Sequence, residues 1–211
     1  MVKVISFDLW KTLAGEPRST GDVVSLLQRY GSALSEKDLR LAIKDSMMRR
    51  KVSPKAGMTM LAKRSGIRSE KLVEELIQLW RFSCDQSFLY PEVLPVLARL
   101  RKNYKLSLIT NTSWYGWQAI EKRYRLSQYF DYLVLSYEAG FVKPEREVFE
   151  MVQKEFCVPA QSILMVGDSR TSDFLPTKAL GWQALLVDRS GKTAGAIRTI
   201  KEVQKSLAQY H

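Results

Sequence analysis

Seven side chains in this sequence could do chemistry together. Asp8 and Thr12 follow the apolar run VISF, Thr110 and Asn111 close KLSLITN, Lys143 stands in GFVKPE, and Asp168 and Asp173 lie in MVGDSRTSD. Each has an ordinary reading when taken singly: an aspartate after a strand forms a turn or caps a helix, a threonine at a strand end caps the next helix, and a lysine before proline sits at the surface. Brought together, they set three carboxylates against one lysine. Carboxylates held close raise one another's pKa unless a cation intervenes, and one ammonium cannot neutralise three. The missing charge points to a hard divalent ion, Mg²⁺, which takes one or two carboxylates, keeps several waters and leaves room for a substrate phosphate.

Such a meeting needs strands that end in one place. Five short apolar, β-branched runs, at 2–7, 105–110, 132–136, 162–167 and 183–187, read as buried parallel strands. Helical patterns follow at 92–102, at 144–156 with Pro144 in the first turn, at 173–180 closed by Gly181, and at 193–208. Strands alternating with helices specify an α/β fold, a doubly wound parallel sheet with helices on both faces. In that architecture ligands sit beyond the carboxyl ends of the strands, where the seven side chains fall.

The first strand is not followed by a single crossover helix. Four helical patterns intervene, at 21–30, 36–51, 57–65 and 70–84, with Ser35 and Ser69 as N-caps and Gly31 and Gly66 as stops. The block is too long for a loop and has no strand pattern of its own. The expected organisation is a core formed by 1–13 and 91–211 with a helical-bundle domain inserted at 14–90.

The chain has 211 residues, of which 45% are hydrophobic, enough for a sizeable core. No segment is long and apolar enough to span a membrane and no signal peptide pattern opens the chain, so a cytoplasmic protein is expected. Cys84 and Cys157 are far apart and suggest neither a thiol redox centre nor a zinc site. The sole histidine, His211, is the last residue, which argues against His-dependent triads and metal clusters. The net charge of +11 suits an anionic small-molecule substrate. It is spread along the chain, and the aromatics fall in apolar patterns, so nucleic acid is not expected. The basic stretch from Arg40 to Arg64 reads as a solvated helix face or an anion-attracting lid. Two short matches are rejected: SGKT at 190–193 lacks the first glycine of a phosphate loop because Leu186 is there, and the glycosylation-like NTS at 111–113 faces the expected crevice.

FDLWKT, LITNTS, Lys143-Pro144 and MVGDSRTSD, in this order and with a helical insert after the first, resemble the haloacid dehalogenase-like hydrolase superfamily across essentially the whole chain. The resemblance implies a Rossmann-like core with a helical cap. It also implies Asp8 as nucleophile, Thr110 binding the transferred group and Lys143 steadying the nucleophile and its adduct. Magnesium would be organised by Asp168 and Asp173, with Asp8 and the backbone carbonyl of Trp10 as further ligands. Thr12 and Asn111 complete the expected catalytic set.

Two positions depart from the pattern. The family's phosphatases carry a second aspartate where this chain has Trp10, and an indole cannot exchange protons near neutral pH, so a general acid–base contribution of ~10² to 10⁴ in rate is missing or supplied otherwise. Lys11 replaces a usual glycine. The reading favoured by the charge inventory is a Mg²⁺-dependent phosphatase acting through an aspartyl-phosphate at Asp8. The alternative is a 2-haloacid dehalogenase, which Trp10 suits but Asp168 does not, since a second carboxylate beside Asp8 would repel the haloacid; a binding protein without turnover is the third. Arg40, Arg49, Arg50 and Trp114 are the expected substrate contacts, and a monomer or homodimer is the expected assembly.

Overall fold

The computed structural model describes residues 1–207; the last residue of the expected helix at 193–208, and His211, lie outside the described residues. In chain order the strands are β1 (Val4–Phe7), β2 (Ala14–Gly15), β3 (Phe88–Leu89), β4 (Lys105–Thr110), β5 (Tyr132–Leu135), β6 (Ile163–Gly167) and β7 (Gln183–Leu186). The main sheet runs β5-β4-β1-β6-β7 and its pairs are all parallel. β1 is central, and the chain leaves it first toward β4 on one side and later toward β6 on the other. That reversal opens a crevice beyond its carboxyl end.

Alternation along the strands explains why the sheet is covered twice. Ile5, Phe7, Leu106, Leu108, Leu164 and Val166 share one core cluster with α5 (Val93–Leu100) and α6 (Trp114–Tyr124). Val4, Ile109, Ile163 and Met165 point the other way, into a cluster with α8 (Arg146–Phe156) and Trp182. The helices α1 (Thr20–Arg29), α2 (Glu36–Ile43), α3 (Pro54–Arg64) and α4 (Glu70–Asp85) bury their apolar faces mainly in a third cluster. Ser19, Ser35, Ser53 and Ser69 cap them, each accepting a hydrogen bond from a first-turn N–H. Short helices α7 (Ser136–Ala139), α9 (Leu175–Ala179) and α10 (Val203–Leu207) complete the set.

Four expectations are corrected. The block between β1 and the second long strand does contain strands: Ala14–Gly15 pairs antiparallel with Phe88–Leu89, tying together the two ends of the helical segment. The expected helix at 36–51 ends its α-turns at Ile43 and continues as a π-helical turn, Lys44–Met48, against which Gly57 packs so closely that a Cβ there would lie 2.0 Å from the Met47 sulfur. Pro144 is not in a helix's first turn; the Lys143–Pro144 peptide is cis and α8 begins at Arg146. The segment after 193 is helical only from Ile200, because Asp188 accepts N–H bonds from Ser190, Lys192 and Thr193, and Thr199 with Glu202 forms a capping box that sets the helix start.

Candidate active site

β1, β4 and β6 end side by side, so register alone brings Asp8, Asn111 and Asp168 to one place. Lys143, from the loop after β5 and α7, reaches across with its ammonium 2.6 Å from Asp8 Oδ1 and 2.6 Å from Asp173 Oδ1. Its side chain is almost wholly buried, at 2% exposure. Asn111 fixes it there: the amide Nδ2 donates to the Lys143 carbonyl at 2.9 Å, and Oδ1 accepts the Lys143 N–H at 2.7 Å. Asp173 is fixed too, because its second oxygen accepts the Ser169 N–H at 3.0 Å. Gly167 makes that possible, since a Cβ there would sit 2.4 Å from Asp173 Oδ2.

The charges set the proton affinities. Burial pushes the Asp8 carboxyl up; Lys143 opposes that and Asp173 and Asp168 add to it. Asp168 is raised by burial and then by Asp173, with Lys143 and Lys11 opposing. Burial acts to lower Lys143, but Asp173 and Asp8 outweigh it and hold the ammonium charged. One cation therefore serves a group that would be strained by its own negative charge.

The residues fit a hard metal ion. Asp8, Asp168 and Asp173 each offer an oxygen, all within 4.8 Å of one another. Among the described residues Asp8 Oδ2 is buried without a hydrogen-bond partner, as are the hydroxyls of Thr12 and Thr110 near the same strand ends. An all-oxygen, multi-carboxylate donor set suits Mg²⁺.

Above these residues lies a cavity of about 430 Å³, walled on one side by Asp8, Trp10, Lys11, Asn111, Lys143, Asp168 and Asp173 and on the other by Val23, Arg40, Ile43, Lys44, Met48, Leu79 and Trp80. Thr12 and Thr110 are buried beside it and do not line it; the Thr12 carbonyl instead accepts from Arg189 at 2.5 Å. Trp10 lies on the wall with its indole directed at Gly116, where a Cβ would be 3.4 Å away.

Of the expected substrate contacts, only Arg40 borders the cavity, and its guanidinium is engaged by Glu36 and Thr20. Arg49 and Arg50 do not line it. Arg49 is committed to Asp45 and Glu145, and Arg50 is exposed. Trp114 does not line it either: it packs against the main core, with Lys51 5.0 Å from its ring centre. Ser113 caps helix α6 through the Gly116 N–H at 3.0 Å while also accepting the Trp80 indole N–H at 3.1 Å, which joins α4 to the core.

The sequence reading missed Lys44, Glu16 and Ser113. Ser113 carried a legible cap signal before a helical run; Lys44 sits inside a helical pattern and Glu16 just after a two-residue strand, and neither position had a signal. Burial pushes Glu16 up to about 7, against a hydrogen bond from Ser83 and the charge of Lys11.

Comparison with known proteins bears on the family and the fold. The family model described as haloacid dehalogenase-like hydrolase matches residues 2–181. Among curated proteins, the Escherichia coli pyrimidine 5'-nucleotidase YjjG is 34% identical over 119 residues, which is 54% of this chain and 50% of that protein. The chain thus matches about half the length of that relative. Among solved structures, a 2-haloacid dehalogenase from Pseudomonas syringae superposes with a TM-score of 0.67 at 22% identity, covering 100% of both chains. A Bacteroides thetaiotaomicron family enzyme, in complex with magnesium and inorganic phosphate, gives 0.66 at 19% identity, covering 92% of this chain and 97% of that one. At these identities the structural likenesses speak for the fold. With its four strand-end motifs, its parallel core and a family match over most of its length, the chain belongs to the haloacid dehalogenase-like hydrolases.

Proposed function

We propose that the protein is a phosphohydrolase that transfers the phosphoryl group of a small phosphorylated molecule to Asp8 and releases it to water. The observation that carries this reading is the crowd of three carboxylates near a single buried ammonium, which favours a further cation in the pocket. Asp8 and Asp168, with the Trp10 carbonyl, would hold Mg²⁺, and the ion would neutralise charge on the phosphoryl oxygens. Asp8 Oδ2, without a hydrogen-bond partner, is the attacking oxygen, and Lys143 holds Oδ1 and orients the carboxylate. Asp173 keeps Lys143 in place, and Asn111 sets its backbone. The helical segment 14–90 acts as a cap that keeps bulk water from the cavity.

The relative named as a pyrimidine nucleotidase supports phosphoryl chemistry over carbon–halogen cleavage. Trp10 is the feature that favours a dehalogenase. The two are separated by assaying p-nitrophenyl phosphate with Mg²⁺ or with chelator, alongside chloride release from 2-chloropropionate. Magnesium-dependent phosphate release is expected; chloride release insensitive to chelator would replace this reading, and silence in both would point to a binding protein.

A further inference from the structure

Lys11 is one of the non-glycine residues with positive φ, at 62°. Side chains with a β-carbon rarely adopt that conformation, and glycine would take it without strain. The turn enforces it: the Lys11 N–H donates to the Ala14 carbonyl at 2.6 Å, and Leu13 N and Ala14 N both return to the Leu9 carbonyl at 2.8 Å. A long cationic side chain is thus held where the backbone favours none.

Its position gives that strain a use. Lys11 lines the cavity with Asp8 and Asp168, next to Trp10, which has no proton to give a leaving group. Its charge acts on Asp168, from the loop after β6, and on Glu16, from the segment after β2. Among the described residues no hydrogen bond or ion pair engages its ammonium. Lys143, by contrast, is paired with both Asp8 and Asp173. Strained residues persist where the surrounding structure holds them, and they gather at functional sites.

We propose that Lys11 is a catalytic residue that binds the leaving-group oxygen of the substrate and stabilises the negative charge that develops there. This inference rests on the phosphohydrolase reading above. As an Asp8 oxygen bonds to phosphorus, the bond from phosphorus to the leaving oxygen breaks and its electron pair stays on that oxygen, hydrogen-bonded to the ammonium. Water protonates the departing oxygen. The hydroxide equivalent left behind is consumed when the aspartyl-phosphate is hydrolysed to inorganic phosphate and free Asp8. Lys11 is exposed at the cavity's edge, and a cation already beside the developing charge is effective because little has to reorganise as the bond breaks.

The test compares the parent chain with Lys11→Gly and Lys11→Met on two substrates in saturating Mg²⁺: p-nitrophenyl phosphate, whose leaving group needs little help, and glycerol 3-phosphate, whose alkoxide needs much. Both variants should lose about 10²-fold in kcat on the alkyl ester and only a few-fold on the aryl ester. Lys11→Gly should also melt no lower than the parent, because strain is relieved, which separates lost function from lost folding. Equal losses on both substrates, a change confined to KM, or no loss at all would overturn the assignment while leaving the phosphohydrolase reading standing. A parent chain that releases phosphate from neither ester would overturn both.

Discussion

The Asn111 side chain holds the peptide of Lys143 at both of its polar atoms, accepting its N–H at 2.7 Å and donating to its carbonyl at 2.9 Å. A residue just after β4 thereby sets the position of an ammonium that reaches Asp8 from the loop after α7. Asn111→Ala removes both bonds and leaves two partly buried peptide atoms without these partners. Stability should fall by about 1 to 3 kcal/mol and kcat should drop with little change in KM. Urea denaturation and steady-state kinetics read the two effects separately.

Lys143 itself bears more. Lys143→Met leaves Asp8 and Asp173 buried without their shared cation, a change that typically costs about 3 to 5 kcal/mol. The variant should be inactive and markedly less stable, and adding Asp173→Asn should recover part of the stability without activity. A double-mutant cycle by chemical denaturation measures the coupling; additive losses would show that the two side chains do not share a charge.

Magnesium should stabilise the folded chain by mass action, by about 2.7 kcal/mol at a free concentration one hundred times its dissociation constant. Asp168→Asn should reduce that gain while leaving the fold in chelator intact. Thermal melts across a magnesium titration provide the check, and a parent melting temperature indifferent to magnesium would count against the carboxylate cluster as its site.

Trp10→Asp places a proton donor where the phosphatases of the family have one. Turnover of alkyl phosphates should rise by up to about 10²-fold, the lower end of what a positioned general acid supplies. The indole is packed toward Gly116, so some stability is lost with it. Rates at matched folded fractions make the comparison valid.

Glu16 makes stability depend on pH with a defined sign. Its carboxyl is pushed up to about 7 by burial, against an ordinary value of 4.5, so between those two pH values the folded chain binds more protons than the unfolded one. Stability therefore falls as pH rises from 4.5 through 7 and levels off above it. Glu16→Gln should remove that part of the slope, with the gap in stability widening in the variant's favour as pH increases. Denaturation of both proteins from pH 5 to 8 would show it.

The sequence by itself determined the parallel core and the edge at which its motif residues meet. Apolar runs too short for helices and buried on both faces could only be strands of a covered sheet, and residues that follow such strands must meet at one edge; Asp8, Asn111 and Asp168 were legible for that reason. Capping serines likewise marked where α2 and α4 begin. Only the tertiary structure decided which charges are available to a ligand. Arg49 and Arg64 carry the same formal charge as Lys44, yet they are matched to Asp45 and, for Arg49, to Glu145, which is remote in sequence, while Lys44 borders the cavity with its ammonium 3.4 Å from the Lys143 carbonyl. Periodicity reports which face of an element is apolar; it contains nothing about which polar partner waits across a gap of ninety residues, nor about the backbone angle that holds Lys11 at the mouth of the site.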